Sequence, residues 1–173
     1  MRFAYADPPY IGQAKKHYSG DPNCAEIDHE QLIAGLVSGY PDGWALSCSS
    51  PSLKQILALC PDKVRVMAWV KPFCAFKANV NPAYAWEPVI VSGGRPRKDR
   101  SELTIRDWIA QAITLQKGVH GAKPAKFCYW LFDVLNIRLG DTLDDIFPGT
   151  GIVSSCLEDY LVREIESRIE NEC

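Results

Sequence analysis

Residues 2–6, RFAYA, are apolar after the first, with Phe3 and Tyr5 on one side, and predict a short strand that stops at Asp7. Residues 11–25 are polar and contain glycine and histidine, the pattern of a loop over the strand end. Leu32, Ile33, Leu36 and Val37 then recur at helical spacing behind Asp28, a capping residue, which predicts a helix over 29–38. A Pro41-Asp42-Gly43 turn leads to an apolar strand over 44–48. Ser49-Ser50-Pro51 opens a second helix through Leu53, Ile56, Leu57 and Cys60, which Pro61-Asp62 ends. Residues 64–70 and 89–91 are β-branched and aromatic and predict strands, with an irregular aromatic-rich stretch over 71–84 between them. The spacing over 107–115 predicts a short helix, with Ser101 as its start signal. Pro124 opens a helix of about three turns reaching Leu135. Residues 141–147 predict the last strand, Pro148 to Gly151 a tight loop, and the final helix starts near Ile152.

Strands alternating with helices imply an α/β fold, a mostly parallel sheet in a three-layer sandwich. Ligands of such sheets sit outside the carboxyl ends of the strands. Asp7 and the loop after Phe147 would therefore share one edge although they are far apart in sequence. No internal repeat or low-complexity stretch interrupts the 173 residues, which read as one domain over 1–173.

Composition narrows the class without changing the fold. A 47% hydrophobic, 23% charged chain of net charge -2 is an ordinary globular protein with no global attraction to polyanions. Contact with nucleic acid would need a local patch, and Arg95, Arg97, Lys98 and Arg100 form the one dense basic cluster. Lys71 and Lys77 interleave with Phe73, Phe76, Tyr84 and Trp86, a second basic-aromatic region suited to stacking on unpaired bases or to a core. Seven cysteines lie scattered without a CxxC pair, and no leader or membrane-length apolar run is present. These features predict reduced thiols, a cytoplasmic location and no membrane partner. His17, Cys24 and His29 match no strong ligand spacing, so no metal is expected.

Two short stretches carry chemistry. In Asp7-Pro8-Pro9-Tyr10 the prolines can continue neither helix nor ladder, so the segment is either a turn or a lip beyond a buried strand. In Asp145-Ile146-Phe147-Pro148-Gly149-Thr150-Gly151 a strand feeds a glycine loop and a helix, which brings backbone close to a ligand. The first resembles the catalytic motif of amino-methyltransferases, and the second their cofactor loop, D-x-F-x-G-S/T-G. Lys123-Pro124 resembles the Lys-Pro element before that loop in enzymes with the catalytic motif first. This permuted order is similar to that of beta-class DNA methyltransferases and the adenine-N6 family. The chain also resembles compact bacteriophage methyltransferases, in which segments like Trp69-Val70-Lys71-Pro72 and Trp86-Glu87-Pro88 recur.

The resemblance implies a Rossmann-like domain using S-adenosylmethionine, with adenine N6 in DNA as acceptor. It implies Asp7, Pro8, Pro9 and Tyr10 as the catalytic set and Ala6, Asp7, Lys123, Asp145, Phe147, Pro148, Gly149, Thr150 and Gly151 around the cofactor. Asp145 would lie near the cofactor's amino group and Lys123 near its carboxylate. Tyr10, Lys71, Arg95, Arg97, Lys98 and Arg100 would meet nucleic acid. Cytosine N4, RNA adenine and a protein amide share the chemistry, and a binding module without turnover is the reading from another class. Related enzymes add a strand whose terminal acid binds ribose, whereas here the chain runs out in an acidic helix containing Glu158, Asp159, Glu164, Glu166, Glu170 and Glu172. Low cofactor affinity and a homodimer covering the short sheet are the corresponding expectations.

Overall fold

The computed structural model of the protein describes residues 1–12, 26–74, 78–98, 102–113 and 122–172, with side chains to residue 166 in the last helix. In chain order its elements are β1 (Arg2–Ala6), α1 (His29–Gly39), β2 (Gly43–Ser47), a 3-10 turn (Ser50–Ser52) running into α2 (Leu53–Leu57), β3 (Val64–Val70), β4 (Trp86–Gly93), β5 (Trp108–Ala110), α3 (Ala125–Leu135), β6 (Thr142–Asp145) and α4 (Ile152–Glu172). The strands form one six-stranded sheet in the order β5-β3-β4-β2-β1-β6. All neighbours pair parallel except β4, which runs against both β2 and β3. The result is the mostly parallel α/β sheet that the alternation predicts.

Each face of the sheet buries its own core. Phe3 and Tyr5 of β1 point to one face, where Met67, Trp69 and Val89 meet Phe127, Leu131 and Phe132 of α3 and Val153 of α4. Ala4 and Ala6 point to the other, with Leu46 and Ile90 against Ile33 and Leu36 of α1 and Ile56 of α2. This two-sided burial explains why β1 carries no polar residue after Arg2: a central parallel strand reads as a continuous apolar run. The Asp28 carboxylate accepts from the Gln31 amide at 3.0 Å and caps α1, as its position predicts.

The chain departs from expectation at one element. Residues 107–115 do not start as a helix: 108–110 form β5, parallel to 68–70 of β3, while Ser101 and 114–121 lie outside the described residues. Ile105, Ile109 and Ile113 all pack on the core from this segment. Residues four apart share a face in a strand as well as in a helix, so the spacing did not discriminate. Smaller differences are that α2 ends at Leu57, β4 is longer than 89–91, and Asp141, Ile146 and Phe147 flank β6 rather than belong to it. Among the described residues no helix is long and apolar enough to cross a membrane, and Cys48, Cys60, Cys74, Cys128 and Cys156 are free thiols.

Candidate active site

Parallel strands deliver their last residues to one edge, and the reversed β4 delivers its first residues there. Asp7 follows β1, Lys71 follows β3, Glu87 is the second residue of β4, and Asp145 closes β6. Lys123 stands just before α3 on the same edge. Thus residues from five places in the chain converge.

They converge as a line of alternating charge. Lys123 Nζ lies 3.0 Å from Asp7 Oδ1 and 2.5 Å from Glu87 Oε1. The second oxygen of Glu87 takes Lys71 Nζ at 2.8 Å. Both ammonium groups lie over the Trp69 ring, Lys71 at 4.4 Å and Lys123 at 5.2 Å from its centroid, a cation–π arrangement that compensates lost hydration. The Trp69 indole N–H in turn donates to the Gln111 carbonyl at 2.8 Å, which fixes the ring. The Lys123 and Glu87 side chains are only 5% and 7% exposed, whereas Asp7 retains 23%.

Burial and charge act against each other here. Burial works to raise the Glu87 carboxyl, but Lys123 and Lys71 outweigh it and hold it down at about 2. Burial likewise opposes the charge on Lys123, and Asp7 and Glu87 overcome it, so its ammonium is held more tightly than usual. Asp7 goes the other way: burial and the Glu87 charge raise it, against the pull of Lys123 and Lys71. Tyr10 is half-buried, and burial, followed by the charges of Asp7 and Glu87, pushes its hydroxyl well above the ordinary value. Pro8 is buried and Pro9 half-buried, anchoring the lip on which Asp7 sits.

Beside this line lies the glycine loop. Asp145 pairs in register with Tyr5, and the Ile146 amide donates to the Tyr5 carbonyl at 2.9 Å, so the loop departs directly next to β1. The loop closes on a Gly151 amide to Pro148 carbonyl bond of 2.6 Å. Gly149 and Gly151 take φ of 47° and 73°, a region that favours glycine. A Cβ on Gly151 would meet nothing within 4 Å, and one on Gly149 only the Phe147 carbonyl at 3.8 Å. The space above the loop is therefore open. Pro148 and Thr150 are exposed on it, Phe147 is half-buried against the α1 side, and Ala6 is fully buried below. An apolar groove of about 440 Å³ lined by Ile27, Leu32, Leu36, Tyr40 and Ile146 runs alongside.

Asp145 has an unusual position in this loop. Both its carboxylate oxygens are buried and neither has a hydrogen-bond partner. Burial raises this carboxyl and the Asp7 charge adds to the effect; the Phe147 backbone opposes it without completing a hydrogen bond. Buried polar groups are normally satisfied. A buried, partnerless carboxylate at the root of this loop suits a cationic ligand group.

The other proposed contacts separate from this site. Arg95 holds both oxygens of Asp141 at 2.7 Å, and Asp141 also binds the amino terminus at 2.7 Å. Met1 and Asp141 stand before β1 and β6, and Arg95 just after the reversed β4, all at the opposite end of the sheet, about 17 Å away across the five residues of β1. Arg97 donates to the Asp133 carbonyl and Lys98 is exposed nearby, while Arg100 lies outside the described residues. The basic cluster thus does not join Asp7, whereas Lys71 does. Lys123 meets Asp7 and Glu87. His17 and Cys24 lie outside the described residues, and the ring of His29 faces the Ile27 carbonyl at 2.9 Å. Among the described residues no three His, Cys, Asp or Glu side chains gather as a metal site.

Glu87 carries no role in the sequence reading. Its signal was a lone acid beside the apolar run PVIV, which demands a cationic partner once that strand is buried.

No family model matches the chain, and no curated protein does. Solved structures do. That of the M1.HpyAVI-SAM complex superposes with a TM-score of 0.61 at 14% identity, covering 92% of this chain and 77% of the other. That of M1.HpyAVI alone gives 0.53 at 16% identity, covering 91% and 76%. The fold is that of a Rossmann-like methyltransferase. At such identity the likeness extends to fold and no further.

Proposed function

We propose that the protein transfers a methyl group from S-adenosylmethionine to an exocyclic amino nitrogen, with N6 of adenine in DNA as the acceptor. One observation carries the reading: a half-open carboxylate, Asp7, and a partnerless one, Asp145, stand at the ends of adjacent paired strands. The fold shared with the M1.HpyAVI-SAM complex supports it. The donor set fits the cofactor: Asp145 would take its amino group, while the open loop at Gly149 and Gly151 admits its backbone-like portion. When bound, S-adenosylmethionine supplies an electrophilic methyl group on a sulfonium.

The chain's own residues act on the acceptor. An amine conjugated to a ring is a poor nucleophile because its lone pair is delocalised. Asp7, with one oxygen on Lys123 and the other free of it, accepts an N–H from that amine. The Pro8 carbonyl accepts the second. Together they favour a pyramidal nitrogen with its lone pair directed outward, a positioning effect that can supply several kcal/mol. The Tyr10 ring offers a flat surface to an extruded base. Lys123, itself anchored on Glu87, holds one Asp7 oxygen and so orients the other toward the acceptor.

The experiment is incubation with tritiated S-adenosylmethionine and DNA, followed by nucleoside mass spectrometry. N6-methyladenine made by the parent and not by Asp7→Ala is expected. Equal incorporation by both would refute the assignment of Asp7, and N4-methylcytosine would move the acceptor to cytosine.

A further inference from the structure

Buried ion pairs are poor stabilisers, because desolvation consumes much of what attraction returns. The line Asp7–Lys123–Glu87–Lys71 buries its two middle members and leaves its two ends open, with Asp7 23% and Lys71 17% exposed. Every contact along it is 3.0 Å or shorter. We propose that Glu87 and Lys71 are positioning residues that set the charge and hydrogen-bonding strength of Asp7 through Lys123. The proposal rests on the reading of Asp7 as the group that accepts the substrate's amino hydrogen.

The geometry gives the line a direction. Lys123 divides its ammonium between two carboxylates. Neutralising Glu87 leaves Lys123 to Asp7 alone, which favours ionised Asp7 and weakens it as an acceptor. Neutralising Lys71 frees a full charge on Glu87, which draws Lys123 away and leaves Asp7 more basic. The two changes push Asp7 in opposite senses although both break the same line. Little dielectric screening intervenes, since the middle of the line is buried and backed by Trp69 and Phe127.

The remaining groups facing Asp7 do not reverse this. Tyr5 of β1 and Tyr10 have hydroxyls that burial raises well above the ordinary value, so both stay neutral across the working range. Asp145 of β6 adds negative charge common to parent and variants. At Asp7 itself the Glu87 charge raises the carboxyl, while Lys123 and Lys71 lower it.

The test is a carbon-13 NMR titration of aspartate side chains in the full chain, with the Asp7 signal assigned by its loss in Asp7→Asn. The midpoint of Asp7 is expected to fall in Glu87→Gln, to rise in Lys71→Met, and to stay at the parent value in Lys71→Arg. Shifts of the same sign in Glu87→Gln and Lys71→Met, or no shift in either, would overturn the proposal. If Glu87→Gln does not fold, Lys71→Met at the rim decides alone: a rise supports the charge line and an unmoved midpoint refutes it. The acid limb of kcat/KM for methyl transfer should move with each midpoint. Opposed NMR shifts without any methyl transfer by the parent would leave the charge line standing and remove the reading of Asp7 as the acceptor.

Discussion

At the amino end of the sheet, Asp141 is nearly buried and fully engaged: Arg95 meets both oxygens, the amino terminus one, and the Arg138 amide donates at 2.9 Å. At the carboxyl end, Asp145 is buried with no partner and Asp7 is half-committed to Lys123. The same residue type is thus used twice on one scaffold, once to close an edge and once to leave it unfinished. A satisfied acid ties strands together. An unsatisfied one is a standing cost that a cationic ligand would offset.

The sharpest break in this contrast is Asp7→Ala. Methyl transfer is expected to fall on the order of a hundredfold to a thousandfold, measured as tritium incorporation, with the thermal midpoint close to that of the parent because Lys123 keeps Glu87. Asp141→Ala should do the reverse. Removing the acid that Arg95 and the amino terminus share costs about 3 kcal/mol, read as a denaturant midpoint, with methyl transfer per folded molecule unchanged.

Acid titration of stability separates the ends further. The folded Glu87 carboxyl is held below its ordinary 4.5, at about 2. Its stabilisation is complete above the ordinary value and lost as pH falls through that window, because the unfolded chain takes up the proton first. Glu87→Gln should therefore flatten the acid slope of unfolding free energy between those two values. An unchanged slope would contradict the placement of Glu87 between the lysines. The smallest effect is expected at Asp145, whose raised carboxyl means that ionisation costs the fold stability as pH rises past the unfolded value. Asp145→Asn should raise the unfolding midpoint by about 2 °C, as roughly 1 kcal/mol would, while weakening S-adenosylmethionine in calorimetric titration. A stabilised variant with unaltered cofactor binding would detach Asp145 from the cofactor.

How much of this was legible in the sequence depends on the distance between partners. β1, α1 with its Asp28 cap, and β3 declare themselves because their signals are local: alternation, a capping oxygen, a β-branched run. The Asp7 lip and the Asp145 loop are visible as motifs, and parallel topology puts them on one edge. Glu87 is silent because its meaning lies in Lys71 and Lys123, 16 and 36 residues away. Arg95 misleads for the same reason: within its own stretch it belongs to a basic cluster, and only Asp141, 46 residues on, turns it into an internal strut. β5 was obscured by an isoleucine spacing common to both periodicities.

The reversal of β4 has one further consequence. A strand that runs against its neighbours enters at the rim where they leave, so β3 ends and β4 begins on the rim where β1 delivers Asp7. Extra residues in the connection between those two strands would lengthen no strand and disturb no register. The fold thereby keeps, on the same rim as Asp7, a place where new specificity can be grafted without rebuilding the scaffold.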